Sequence, residues 1–168
     1  MEVIPLNITH LKSCLELDKK ALNGLWSKEN WEKELINKGK ICLGIINQCE
    51  LIAVATGLLI IDEFNLTAIA VDPSHRKKGL GLLLLRELLR EAKNRGSESA
   101  TLEVDENNIP AIKLYKHCGF ITSGYREKYY KNGNNALIQN LSLAQEAPLT
   151  RRMVRFTDHP PGKWQDVL

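Results

Sequence analysis

The run Val71-Asp72-Pro73-Ser74-His75-Arg76-Lys77-Lys78-Gly79-Leu80-Gly81 sets three cations and two glycines between an apolar, strand-like stretch (66–71) and a strongly helical one (82–95). Glycine tolerates positive φ and carries no Cβ, so backbone N–H groups in such a turn can close around a phosphate. A helix beginning here aims its unpaired N–H groups and the positive end of its dipole at the same point. The chemistry this spacing suits is the binding of a diphosphate. Two other phosphate loops fail on side chains. A P-loop needs Gly-Lys-Ser/Thr entering the helix, and here Gly81 is followed by Leu82. A dinucleotide fingerprint needs a third small residue where Leu84 stands.

Composition narrows the partners. The chain has 168 residues, enough for one domain with a proper core, and a formal charge of +3, which implies no broad basic face for nucleic acid. The cations at 76–78 are local and suit a small anion. Cys14, Cys42, Cys49 and Cys118 show no C-x-x-C pairing and no metal-ligand rhythm with the four histidines, so no metal site is expected and the thiols read as reduced and mostly buried. The first five residues lack the basic start and apolar run of a signal peptide, and the longest apolar run, 51–61, is short of a membrane span. A soluble, cytoplasmic protein with no membrane and no direct nucleic-acid partner is the expectation.

The elements that must position the loop follow from periodicity and caps. Residues 3–6 read as a first strand, with Asn7 or Thr9 capping a helix through about Lys20, and Ser27 capping a second helix, 28–38, ended by Gly39. Two strands, 41–46 and 51–61, meet at a turn around Asn47-Gln48, and Asp62-Glu63-Phe64 turns into a strand over 65–71. The helix 82–95, apolar almost all round in its first turns, reads as buried and closed by Gly96. Strand 100–104 alternates Leu102 and Val104 with Thr101 and Glu103. A short helix then starts at Asn108, tolerates Pro110 in its first turn and ends at Gly119. Strands 120–125 and 136–143 close the domain around a turn at Lys131-Asn132-Gly133-Asn134. This order is that of an α/β (α+β) sandwich around one mixed sheet, a domain over 1–143 followed by a loosely attached tail, 144–168, whose Arg151-Arg152-Met153-Val154-Arg155 cluster reads as solvated.

These residues resemble the Gcn5-related N-acetyltransferase (GNAT) superfamily, and within it the RimI-type ribosomal-protein alanine N-acetyltransferases. The segments that carry the likeness are Arg76-Lys77-Lys78-Gly79-Leu80-Gly81, Ile69-Ala70-Val71-Asp72-Pro73, Leu102-Glu103-Val104, Asn108, Ala111-Ile112-Lys113-Leu114-Tyr115, Gly119-Phe120, Tyr129-Tyr130 and the pair Trp26-Ser27. The resemblance implies a mostly antiparallel central sheet with helices on both faces, and acetyl-CoA as acetyl donor. It implies that backbone groups of Ile69, Ala70 and Val71 hold the acetyl and pantetheine end, that Arg76 and the amides of Lys77, Lys78, Gly79, Leu80, Gly81 and Leu82 hold the diphosphate, and that Asn108 bonds the pantetheine arm. It makes Glu103 the proton acceptor and Tyr115 the proton donor. Where the family often has Glu-Asp near the last turn this chain has Asn134-Asn135, a departure that bears on substrate preference.

Acetyl transfer from a thioester needs a neutral amine. An α-amino group with pKa near 8 is roughly one-tenth neutral at pH 7, whereas a lysine near 10.4 is neutral about four times in ten thousand. Reaching the neutral form costs about 1.4 kcal/mol for the first and about 4.6 for the second, so a modest base suffices for a protein amino terminus. Tyr115, on the helix after the strand of Glu103, carries a phenol suited to a thiolate leaving group. The acceptor expected from the resemblance is the amino-terminal alanine of a small-subunit ribosomal protein, protein eighteen. The alternatives are a small amine or lysine side chain, or a non-catalytic acyl-CoA-binding regulator. Trp26, Tyr129 and Tyr130 are candidates for an acceptor groove, and Asp62 and Glu63 for facing its cation. His75 and Asp72 read as turn residues.

Overall fold

A computed structural model describes residues 2–144. From position 145 onward the expected tail, with its arginine cluster, lies outside the described residues. Strand β1 (Glu2–Pro5) leads into a 3-10 turn (Ile8–His10), followed by helices α1 (Leu11–Ala21) and α2 (Lys28–Ile36). Three strands follow, β2 (Lys40–Asn47), β3 (Glu50–Ile60) and β4 (Glu63–Val71), then α3 (Leu80–Asn94). Strand β5 (Ser99–Asp105), helix α4 (Ile109–His117) and strands β6 (Ile121–Arg126) and β7 (Ala136–Ser142) complete the domain.

Local chemistry explains where these bounds depart from expectation. The Asn7 carboxamide accepts the Thr9 N–H, so Asn7 caps the 3-10 turn and α1 begins only at Leu11. Ser27 caps α2 by accepting the Asn30 N–H, but the helix stops at Ile36 because Asn37 is extended and its side chain takes the Gly39 N–H. Gly39 is therefore no C-cap. Strands β2 and β3 join one residue later than expected, through Gln48 and Cys49, both at positive φ, as a two-residue hairpin requires. β4 starts at Glu63, two residues early, because Glu63 and Phe64 already pair with β3. Helix α3 starts at Leu80, directly after Gly79.

One mixed sheet of order β1-β2-β3-β4-β5-β7-β6 results, antiparallel except between β4 and β5. Helices α3 and α4 cover one face, where Leu84, Leu85, Leu88 and Leu114 are fully buried. A buried leucine contributes about 1.5–3 kcal/mol, so this face holds α3 firmly against the strands. Helices α1 and α2 cover β1–β4 on the other face around Cys14, Leu17 and Trp31.

Two irregularities shape the centre. The β3–β4 register passes from Gly57↔Leu66 to Thr56↔Ala68, leaving Thr67 as the extra residue of a bulge. Gly57 stands opposite, where a Cβ would lie 2.6 Å from the Asn65 carbonyl oxygen, so no other residue fits without movement. A bulge bends and twists its strand. β4 pairs with β5 only at Glu63↔Ser99, Phe64↔Ala100 and Asn65↔Thr101, and the two then part. No helix among the described residues is long and apolar enough to cross a membrane.

Candidate active site

The parting of β4 from β5 leaves residues 66–71 paired on one edge only, with Ile69, Ala70 and Val71 at the open end. Backbone groups on the free edge are available to an extended ligand bearing amides. The loop after β4 begins at the same end. Asp72 accepts the Ser74 N–H at 2.8 Å and the Ser74 hydroxyl at 2.6 Å, and Lys20 lies 3.7 Å from it. The hydroxyl, then the amide, hold the Asp72 carboxyl below its usual range. His75 belongs to this turn, with Nδ1 2.9 Å from the Ser74 hydroxyl oxygen.

Lys77 and Gly79 both have positive φ, +61° and +76°, and Gly79 enters α3 with no side-chain cap. Alternating left-handed residues at a helix start form an anion-binding nest of N–H groups, here those of residues 77–82. A Cβ on Gly79 would meet nothing within 4 Å, so its surroundings are open to a ligand. Arg76 turns back instead, its Nε donating to the Val71 carbonyl at 3.2 Å and Nη2 to the Ala21 carbonyl at 3.4 Å. Lys78 Nζ lies 3.4 Å from the Ser74 carbonyl. The open strand edge and the nest fit a pantetheine diphosphate such as coenzyme A carries.

Glu103 projects from β5 opposite to the buried Leu102 and Val104, as alternation requires. Its Oε1 lies 2.7 Å from Arg126 Nε, and the Tyr129 phenol donates to the same carboxylate, which raises the phenol's pKa. Tyr115 sits on α4 with its ring edge-on to Phe120, 5.9 Å between centres, and burial pushes its phenol above the usual range. Tyr130 is within electrostatic reach of both Tyr115 and Glu103 and is itself raised, first by burial, then by Asp105 and Glu103. Asn108 caps α4, its Oδ1 accepting the Ala111 N–H at 3.2 Å, which leaves the amide nitrogen to donate outward.

The β6–β7 loop is clasped to the end of β5. Asp105 accepts from the Asn107 N–H at 2.9 Å and from Asn134 at 3.0 Å, and both contacts lower its pKa, the backbone one first. Glu106 accepts from the backbone and side chain of Asn135. The Asn134-Asn135 departure thus has a physical reason: acidic residues there would face two carboxylates. Asp18, fully buried, accepts the Leu25 and Trp26 N–H groups and Trp31 Nε1, setting the loop that carries Trp26. Asp62 and Glu63 are exposed at the closed end of the β4–β5 pair, away from the gap. Cys14 and Cys42 are buried and Cys118 is partly buried, whereas Cys49 is exposed on its turn.

Sequence reading missed two groups. Arg126 lies on β6 and Glu103 on β5, and the two side chains meet across β7, the strand between them. Glu34 of α2 is 4% exposed, receives the Thr56 hydroxyl at 2.5 Å and the Thr67 hydroxyl at 3.3 Å, and pairs with Lys40. It braces the bulge from the α1–α2 side. Charged residues inside an amphipathic pattern were the available signal.

Fold and site together define an acetyltransferase. Residues 11–120 match the model of the acetyltransferase (GNAT) family, and the chain belongs to that family. It is 32% identical over 127 residues to the ribosomal protein bS18 alanine N-acetyltransferase of Escherichia coli (strain K12), an alignment covering 74% of this chain and 84% of the relative. The namesake from Salmonella typhimurium is 32% identical over 144 residues, 83% of this chain and 95% of the relative. The crystal structure of the Escherichia coli ribosomal-protein-S18-alanine N-acetyltransferase superposes with a TM-score of 0.80 at 28% identity, covering 88% of this chain and 97% of that one.

Proposed function

We propose that this enzyme transfers acetyl from acetyl-CoA to the amino-terminal α-amine of a protein, foremost the amino-terminal alanine of ribosomal protein bS18, in the cytoplasm. The observation that carries the reading is the early parting of β4 from β5 beside the amide nest. The names of the relatives support this choice of acceptor. Backbone groups of Ile69, Ala70 and Val71 and the Asn108 amide would hold the pantetheine arm, and the N–H groups of residues 77–82 the diphosphate. Bound acetyl-CoA supplies an activated acyl group and a thiol leaving group. Glu103 accepts the proton of the incoming amine, directly or through one water, so that the neutral nitrogen can form the amide bond. Tyr115, kept protonated by burial, gives its proton to the departing sulfur. Trp26, Tyr129 and Tyr130 line the acceptor side.

The test is acetyl transfer to three peptides, read by mass spectrometry: the bS18 amino terminus, the same peptide with its α-amine blocked, and the blocked peptide carrying an added lysine. Acetylation of the first alone is expected. Acetylation confined to the lysine would replace the acceptor assignment, and failure of acetyl-CoA to bind would overturn the whole reading.

A further inference from the structure

Arg126 ends β6, the last strand of the sheet, with β7 as its only sheet neighbour among the described residues. Its Nε stands 2.7 Å from Glu103 Oε1, with its side chain 57% exposed and that of Glu103 29%. The guanidinium carbon lies 5.7 Å from the centre of the Tyr129 ring, whose phenol holds the same carboxylate. A cation and a phenol therefore share the group read as the proton acceptor. Resting on that reading, we propose that Arg126 is a specificity-determining positioning residue: its guanidinium fills the cation position on Glu103, and an acceptor's α-ammonium must displace it before losing a proton.

Two physical points support this. Arginine does not give up its proton at ordinary pH, so it can occupy the site without being consumed by it. A half-exposed ion pair is weak, its net worth matching about a two- to five-fold change in an equilibrium constant. Displacement is thus within reach of an incoming ammonium, and the Tyr129 ring offers the guanidinium a place to stay. An uncharged look-alike need not displace the guanidinium, so the arrangement weakens the binding of ammonium-bearing termini and leaves neutral analogues untouched.

The experiment compares wild-type protein with Arg126→Gln, using the amino-terminal peptide as acceptor and its α-hydroxy analogue, which bears no charge, as inhibitor. The expected result is a KM for the peptide lowered about two- to five-fold, with kcat, the KM for acetyl-CoA and the analogue's inhibition constant all held. A peptide KM that stays or rises, or a kcat that falls, overturns the proposal, because Arg126 would then be a bystander or a permanent partner. Equal shifts for peptide and analogue also overturn it, since a general change of shape moves both. Glu103→Gln is measured alongside. If it keeps full turnover, the base assignment fails; if it loses turnover while Arg126→Gln leaves the peptide KM alone, only the displacement idea fails.

Discussion

A glutamate at the outward position of a strand is ordinarily a solvent-facing spacer, and the residues flanking Glu103 in the chain mark it as nothing else. Its surroundings differ: Arg126 and Tyr129 converge on it, and Tyr130 links it electrostatically to Tyr115. Replacing Glu103 by Gln preserves the shape and the acceptor atom for Tyr129 while removing the charge that binds a proton. Turnover is expected to fall at least about tenfold, within the usual span of general-base effects, with acetyl-CoA binding unchanged by titration calorimetry. Tyr115 makes the complementary prediction. Burial raises its phenol, so it stays protonated across the working range and adds no alkaline limb of its own. Tyr115→Phe keeps the ring packed on Phe120 and loses only the hydroxyl, so kcat should drop about tenfold or more while the urea midpoint moves little. Full turnover in that variant would assign Tyr115 to packing. At this scale the sequence showed the two candidate groups but not their partners. Arg126 and Tyr129 come from a strand and loop more than twenty positions later, and strand order, which no local pattern encodes, brings them to Glu103.

The element that makes the site is β4, and it does so by being irregular. Its bulge at Thr67 follows the last pair with β5, and Glu34 braces that bulge while Gly57 allows the close approach beside it. Strand identity, helix order and the turn-to-helix loop were legible, because alternation, caps and glycines act over a few residues. The bulge and its brace were not, since Glu34, Lys40, Thr56 and Thr67 are scattered along the chain and only the register collects them. The α2 end was misread for a similar reason: Gly39 looked like a stop, but Asn37 turns the chain first. The loop before α3 offers a clean test of the nest. Gly79 sits at φ +76°, and an added Cβ meets no protein atom, so Gly79→Ala is penalised through its backbone alone, by about 1–2 kcal/mol. Relief comes by rotating the peptide groups out of the nest. Acetyl-CoA affinity should therefore fall about tenfold, beyond the loss of stability read from urea unfolding. A variant that is less stable yet binds acetyl-CoA as before would show that the diphosphate rests elsewhere.

At the scale of the whole molecule, the burial of thiols sets an alkaline limit. Cys14 and Cys42 lie in the core under α1 and α2, and burial pushes both thiols up to about 12; Cys118, partly buried after α4, is pushed to about 11 for the same reason. In the unfolded chain each titrates near 8.5. Between those limits the folded protein holds more protons than the unfolded one, so stability must fall as pH rises. The contribution is complete below about pH 8.5 and is lost as pH climbs toward 11 for Cys118 and 12 for the other two. At pH 9.5 each thiol costs on the order of 1 kcal/mol, so the three together take a sizeable part of the roughly 5–15 kcal/mol that holds a domain. The urea midpoint should hold steady from pH 7 to about 8.5 and then decline, and in the Cys14→Ala/Cys42→Ala variant the decline should be about one-third as steep. An equal slope in that variant would place the alkaline loss on other groups. Function meets stability at this limit. The neutral fraction of a bound α-amine with pKa near 8 grows through the same interval, so kcat at saturating peptide should climb with pH until unfolding, rather than titration of Tyr115, cuts it off.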